Sequence, residues 1–313
     1  MNITLPNLDE VHQSYKNMVA RFDSAQGIMW TYFDTWPRPC VTSDLLLEYL
    51  ECQRLVTQVD KAALETGNDC PIRFLVLASK TPGIYSLGGD LNLFKRCIET
   101  RDRDTLRQYA AACIEALHLM ANNLFLPLTT ISLAQGDALG GGFEAALSCS
   151  VIIAEKRARF GFPEVLFNLF PGMGAYSFLA RRIGAIKAER VILSGSVYTA
   201  EQLHEMGVVD ILVDDGGGEG AVHTYVEKHK RRPNAYESVY RARQPYHPVS
   251  SEELLDIADI WVDAAMRVRA KDLRIMEMLV KSQDRLRSAG QVPVRHFGEG
   301  TVVVAPDRWS KNA

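Results

Sequence analysis

Gln135-Gly136-Asp137-Ala138-Leu139-Gly140-Gly141-Gly142-Phe143-Glu144 carries an apolar run, Leu128 to Gln135, through three consecutive glycines into a helical stretch from Gly141 onward. A strand that meets a helix in this way leaves backbone N–H groups without intrahelical partners at the positive end of the helix dipole, a setting that suits a developing oxyanion. Glu144 falls in the first turn of that helix. There a dipole-stabilised surface glutamate is the ordinary reading and a catalytic carboxylate the sharper one.

Three neighbouring segments allow the same double reading. Ser86-Leu87-Gly88-Gly89-Asp90-Leu91 follows a strand; its paired glycines can bare N–H groups beside a ligand while Asp90 caps the next helix, or it is a plain turn. Phe160-Gly161-Phe162-Pro163-Glu164-Val165 sets a carboxylate after a proline in apolar sequence, either a helix-start charge or a catalyst. Phe170-Pro171-Gly172-Met173-Gly174-Ala175 is a loop entering another helix.

Around these segments, strands and helices alternate. Gly27 to Thr35 reads as a strand, Asp44 to Glu65 as a helix capped by Thr42 or Ser43, and Ile72 to Leu77 as a short buried strand. A helical region from about Leu91 to Asn122 precedes the Leu128 strand. Val151 to Ala154, Arg159 to Phe162 and Val208 to Val213 read as further strands, with helices over Ala175 to Ser194 and Ala200 to Met206. Strand, helix, strand in this order predicts parallel crossovers and an α/β class. Leu8 to Phe22 has helical spacing, and beyond Pro248 the chain reads as wholly helical from Glu252 to Leu286. The expected organisation is a helical arm over 1–24, an α/β core over 25–232, a helical part over 233–290 that covers the core or makes an oligomer contact, and a tail over 291–313. No tandem repeat is visible.

Bulk properties narrow the function classes. A net charge of −3 over 313 residues offers no electrostatic basis for nucleic acid or anionic lipid as a main partner. The basic cluster Lys228, Lys230, Arg231 and Arg232 reads as a solvated helix end. No apolar run approaches the roughly 20 residues of a membrane span, so a cytoplasmic location is expected. The six cysteines have no CxxC or Cys/His spacing and read as buried thiols; His204-Glu205 lacks the second histidine of a helical zinc site. No metal and no cofactor are expected.

In this order and spacing the four segments resemble the core of the crotonase (enoyl-CoA hydratase/isomerase) superfamily, from about Gly27 to Val213. The resemblance implies a crotonase-like ββα superhelix with a C-terminal all-helical part, and trimers or dimers of trimers. It implies Glu144 and Glu164 as paired catalytic carboxylates and an oxyanion hole from the Gly89 and Gly141 N–H groups. Leu139, Phe143, Met173 and Trp261 are candidate walls for an acyl chain, with core packing as the alternative role of each. Either glutamate can serve as acid or base.

A narrower resemblance is to the diffusible signal factor synthases of the RpfF type. It rests on an arm before Gly27-Ile28-Met29-Trp30-Thr31-Tyr32-Phe33-Asp34, on Leu169-Phe170-Pro171-Gly172-Met173-Gly174-Ala175-Tyr176, on Arg232-Pro233-Asn234, and on the helix bearing Trp261-Val262-Asp263-Ala264-Ala265 and Asp272-Leu273-Arg274. It implies a 3-hydroxyacyl chain on acyl carrier protein that is dehydrated and then hydrolysed to a free cis-2-unsaturated acid, and docking to the receiver domain of a sensor kinase. Where ordinary hydratases carry an Asn-Ala-Leu-like segment that helps hold coenzyme A, this chain has Pro37-Arg38-Pro39-Cys40-Val41-Thr42, which favours the carrier protein. An enoyl-CoA hydratase or isomerase and a catalytically silent scaffold are the competing readings.

Overall fold

The computed structural model describes residues 15–288. Its first strand, β1 (Met18–Asp23), runs antiparallel to β2 (Ile28–Phe33). The chain reverses between them at Gly27, whose φ of +67° is accessible to glycine at little strain. This corrects the helix expected through Phe22. Met18 and Ala20 are buried with Val19 half-buried between them, the two-residue alternation of a strand. The remainder of the expected arm, residues 1–14, lies outside the described residues.

From β2 the chain passes through α1 (Ser43–Glu65) to β3 (Phe74–Ser79), which lies parallel to β2. Thr42 caps α1 by accepting the Leu45 N–H at 3.2 Å. The same logic adds β5 (Thr129–Ala134), β7 (Val151–Glu155) and β10 (Ile211–Val213), completing a six-stranded sheet in the order β1-β2-β3-β5-β7-β10. Its central strands are buried on both faces, which is why they read as continuous apolar runs. Met29 and Phe33 point into the main core, whereas Ile28, Trp30 and Tyr32 meet Val222, Tyr225 and Val226 on the opposite face.

A second sheet arises because three of these strands are each followed at once by a three-residue strand: β4 (Ile84–Ser86) after β3, β6 (Asp137–Leu139) after β5, and β8 (Arg159–Gly161) after β7. With β9 (Val197–Thr199) they form the order β4-β6-β8-β9. Each pair then enters a helical segment: α2 (Leu91–Thr100), α4 (Gly141–Ser148), and a 3-10 turn (Pro163–Phe167) leading to α5 (Ala175–Ile183). Strand, strand, helix thus recurs three times as structure, although no sequence repeat marks it.

Several expected helices are divided. The stretch from Leu91 to Asn122 is α2 and α3 (Arg103–Ala121), parted where Arg101 takes φ +57° and Asp102 caps α3 by accepting the Thr105 N–H at 3.0 Å. Gly184, at φ +81°, separates α5 from α6 (Ala185–Ser194), after which comes α7 (Ala200–Glu205). The loop after β10 leads to α8 (Gly218–Lys230), whose C-terminal end carries the basic cluster read as a helix end, and to α9 (Pro233–Tyr246), the first helix of the part expected over 233–290. The expected C-terminal helix is α10 (Ser251–Ala265) and α11 (Ala270–Ser288). Trp261 of α10 meets Phe94 of α2 edge-on at 5.0 Å, and Arg103 and Arg107 of α3 pair with Asp263 and Asp259 of α10, so this part folds back over the core of its own chain. All six cysteines are free and buried.

Candidate active site

Strand-to-helix junctions place the four segments side by side. At the α4 junction, Gly140 (φ +51°) donates its N–H to Gly161 O at 2.9 Å and accepts from the Phe143 and Glu144 N–H groups at 2.9 and 3.0 Å. The helix lies hard against β4, since a Cβ on Gly142 would fall 2.3 Å from Ser86 O. Gly88 (φ +96°) is equally confined, because a Cβ there would lie 2.9 Å from Leu139 O and 3.2 Å from Gly141 N. Sequence in these turns is dictated by backbone approaching backbone.

This approach sets two N–H groups together. Around Gly89, the Leu87 N–H donates to Pro39 O, the Gly88 N–H to Ser86 Oγ and the Asp90 N–H to the Tyr109 hydroxyl. The Gly89 N–H has no acceptor among the described residues, and neither has that of Gly141. A Cβ built on Gly141 would lie 3.3 Å from Gly89 N, so the two residues lie close together. Two unengaged N–H groups set this close are the donors an oxyanion hole requires.

Glu144, the fourth residue of α4, is 1% exposed. Its Oε1 accepts the Met173 N–H at 2.7 Å and the Ala175 N–H at 3.1 Å, both from the turn that opens α5. Burial pushes its carboxyl up to about 7, and these two donors restrain the rise. That turn is fixed by Gly172, where a Cβ would fall 2.2 Å from Trp261 Cγ, and by Gly174 at φ +112°.

Glu164 projects from the 3-10 turn against Gly140, where a Cβ would lie 2.3 Å from its Oε1. The residue as a whole is half-buried, but Oε2 is inaccessible and has no hydrogen-bond partner among the described residues. Burial first, and the charge of Glu144 second, push its carboxyl up to about 8. Two buried carboxyls that feel each other titrate as a pair, so near neutral pH the pair holds one proton. One member is then an acid and the other a base.

The four candidate walls part company. Met173 is buried and contributes its backbone N–H to Glu144. Trp261 is buried against Gly172 and Phe94, behind the turn that grips Glu144. Leu139 is half-buried, with its carbonyl beneath Gly88. Phe143 is fully buried, stacked on Phe162 at 4.8 Å and tilted over Phe160 at 5.2 Å, which makes it a core residue. Sequence reasoning marked the Pro171 to Gly174 turn but not its role as the double donor to Glu144; the bare N–H groups before α5 were the signal for it. Among the described residues no cluster of His, Cys, Asp and Glu could hold a metal, and no helix is long and apolar enough to cross a membrane.

The chain belongs to the enoyl-CoA hydratase/isomerase family, whose model matches residues 52–238. That places it in the crotonase superfamily. It is 30% identical over 195 residues to the enoyl-CoA isomerase/hydratase fer4 of Mycosarcoma maydis, covering 60% of this chain and 67% of that protein. It is 31% identical over 134 residues to the peroxisomal fatty acid beta-oxidation multifunctional protein AIM1 of Arabidopsis thaliana, covering 43% of this chain but only 18% of that protein's length. Among solved structures it is similar to an enoyl-CoA hydratase/isomerase from Xanthobacter autotrophicus Py2 (TM-score 0.70, 19% identity, 88% of this chain and 97% of that one). It is also similar to Pseudomonas aeruginosa DspI (TM-score 0.61, 25% identity, 86% and 97%).

Proposed function

We propose that this chain dehydrates a 3-hydroxyacyl thioester carried on acyl carrier protein to the 2-enoyl thioester, then hydrolyses it to a free cis-2-unsaturated acid that serves as a signal. The observation that carries the reading is the juxtaposition of two buried carboxyls, raised to about 7 and about 8, with two unengaged N–H groups at Gly89 and Gly141. The ionised carboxylate removes the proton alpha to the thioester carbonyl, and the electron pair moves onto the carbonyl oxygen as an enolate held by the two N–H groups. When the carbonyl re-forms, the Cα–Cβ double bond forms and the β-hydroxyl leaves, taking the proton of the other carboxyl to depart as water. The pair still holds one proton, with acid and base exchanged.

That exchange readies the pair for the second step. The newly ionised carboxylate takes a proton from water as the water oxygen bonds to the thioester carbonyl. The tetrahedral oxyanion occupies the same N–H pair, and its collapse expels the thiolate, which the other carboxyl protonates. No additional residue is required. The Pro37 to Thr42 segment supports carrier-protein delivery, since it replaces the segment with which ordinary hydratases help hold coenzyme A.

A second reading, hydration or isomerisation of an enoyl-CoA, is favoured by the names of the relatives fer4 and the Xanthobacter enzyme. Turnover of matched 3-hydroxyacyl substrates on carrier protein and on coenzyme A, with mass spectrometry of the products, separates the two. Free acid from the carrier-protein substrate supports the first reading. Enoyl thioester alone, made fastest from coenzyme A, supports the second.

A further inference from the structure

Facing the Gly88-Gly89 turn is the Pro37 to Thr42 segment, and the two are joined as a fragment of parallel ladder. The Leu87 N–H donates to Pro39 O at 2.7 Å, the Val41 N–H donates to Gly88 O at 2.8 Å, and Val41 and Gly89 form an isolated parallel bridge. In a regular parallel ladder the next rung would run directly from the Asp90 N–H to Val41 O. Here a side chain from α3 enters that rung: the Asp90 N–H donates to the Tyr109 hydroxyl at 3.4 Å, and the hydroxyl donates to Val41 O at 2.6 Å.

Tyr109 is 5% exposed, its ring is held edge-on by Phe94 at 5.3 Å, and a Cβ on Gly89 would lie 3.4 Å from its hydroxyl oxygen. On the outer side, Arg38 binds the Asp90 carboxylate at 2.8 Å, and Asp90 also caps α2 through the Asn92 and Leu93 N–H groups. Every N–H from Leu87 to Asp90 except that of Gly89 is therefore engaged. The peptide units on both sides of the Gly89 N–H are tied down, and this donor alone is left to face Gly141.

We infer that Tyr109 is a positioning residue for the oxyanion hole, its hydroxyl completing the rung between Val41 and Asp90 so that the Gly89 N–H is aimed before substrate arrives. The inference rests on the oxyanion-hole reading of Gly89 and Gly141. Tyr109→Phe keeps the ring and its packing but removes the hydroxyl that links the Asp90 N–H to Val41 O. A donor free to swing loses more of its hold on a developing oxyanion than on a bound ground state.

The test has a kinetic and a spectroscopic part. In the full chain, Tyr109→Phe is expected to lower kcat roughly 10- to 100-fold with KM changed less than about twofold, the scale of effect for a mis-set catalytic group. Asp90→Asn, which keeps the helix cap but loses the ion pair with Arg38, is expected to lower kcat in the same direction by less, and supplies the test should the tyrosine variant fold poorly. In the Glu164→Gln background, a medium-chain 3-hydroxyacyl pantetheine thioester labelled at its carbonyl carbon is bound and its carbonyl stretch read by infrared spectroscopy. A shift to lower frequency on binding reports the hole, and adding Tyr109→Phe, or Asp90→Asn in its place, is expected to return a measurable part of that shift. A bound carbonyl with no shift in the Glu164→Gln protein would sink the hole and the inference together. A shift unchanged by Tyr109→Phe would overturn the inference while leaving the hole standing.

Discussion

Burial opposes the charge of both Glu144 and Glu164, and the charge of Glu144 further opposes that of Glu164, which raises their carboxyls to about 7 and about 8. Dehydration needs one carboxyl ionised and one protonated, so activity should peak between the two titrations. Below about 7 both carboxyls are protonated and the base is lost; above about 8 both are ionised and the acid is lost. A kcat profile shaped as a narrow bell over this window is the expected result, and a plateau from pH 5 to 9 would count against the shared proton. Glu144→Gln and Glu164→Gln preserve volume and remove only proton transfer, so each should abolish turnover with an unchanged circular dichroism spectrum. The same groups bear on stability. A carboxyl raised in the folded state stabilises the fold while protonated, and that contribution is lost as pH rises from the unfolded value through the folded one. For Glu144 the loss is at most about 3 kcal/mol. Thermal melts should show the wild type falling between about pH 4.5 and 7 relative to Glu144→Gln.

At the scale of elements, the candidate catalytic groups stand where strands turn into helices, and glycines there are fixed by contact distance. Gly172→Ala would drive a methyl into the Trp261 indole, where a Cβ falls 2.2 Å from Cγ. Overpacking of this kind costs about 1–3 kcal/mol. Because the displaced turn also carries the Met173 N–H that holds Glu144, kcat should fall by more than the melting shift alone explains. This level also separates what was legible in sequence from what was not. Thr42 and Asp90 were readable as caps, whereas Glu144 and Glu164 each allowed an ordinary reading as a helix-start charge and were singled out as a pair by the family resemblance. The strands β4, β6 and β9 were not, since three residues are too few to display an alternation. Helix α9 falls in the helical part expected over 233–290, but none of its residues is buried, so no apolar stripe marked its bounds. Nothing in the sequence singles out Tyr109, since only the fold brings its hydroxyl to Val41, 68 residues away.

At the scale of the whole molecule, α10 and α11 fold back on their own core, while Leu166, Ile186, Leu193 and Val197 remain exposed on the side of the 3-10 turn, α6 and β9. Together with the superfamily's trimeric habit, these residues motivate a trimer or dimer of trimers. Light scattering should give a multiple of three times 34.9 kDa, and a concentration-independent monomer would contradict it. The central claim is that one pair of carboxyls and one pair of N–H groups serve two reactions in succession, and a product time course on the purified chain tests it most directly. With a medium-chain 3-hydroxyacyl carrier protein as substrate and mass spectrometry as the readout, the 2-enoyl thioester should appear first and decline as free 2-enoic acid rises, with both products absent in Glu164→Gln. Accumulation of the enoyl thioester without free acid would contradict the account.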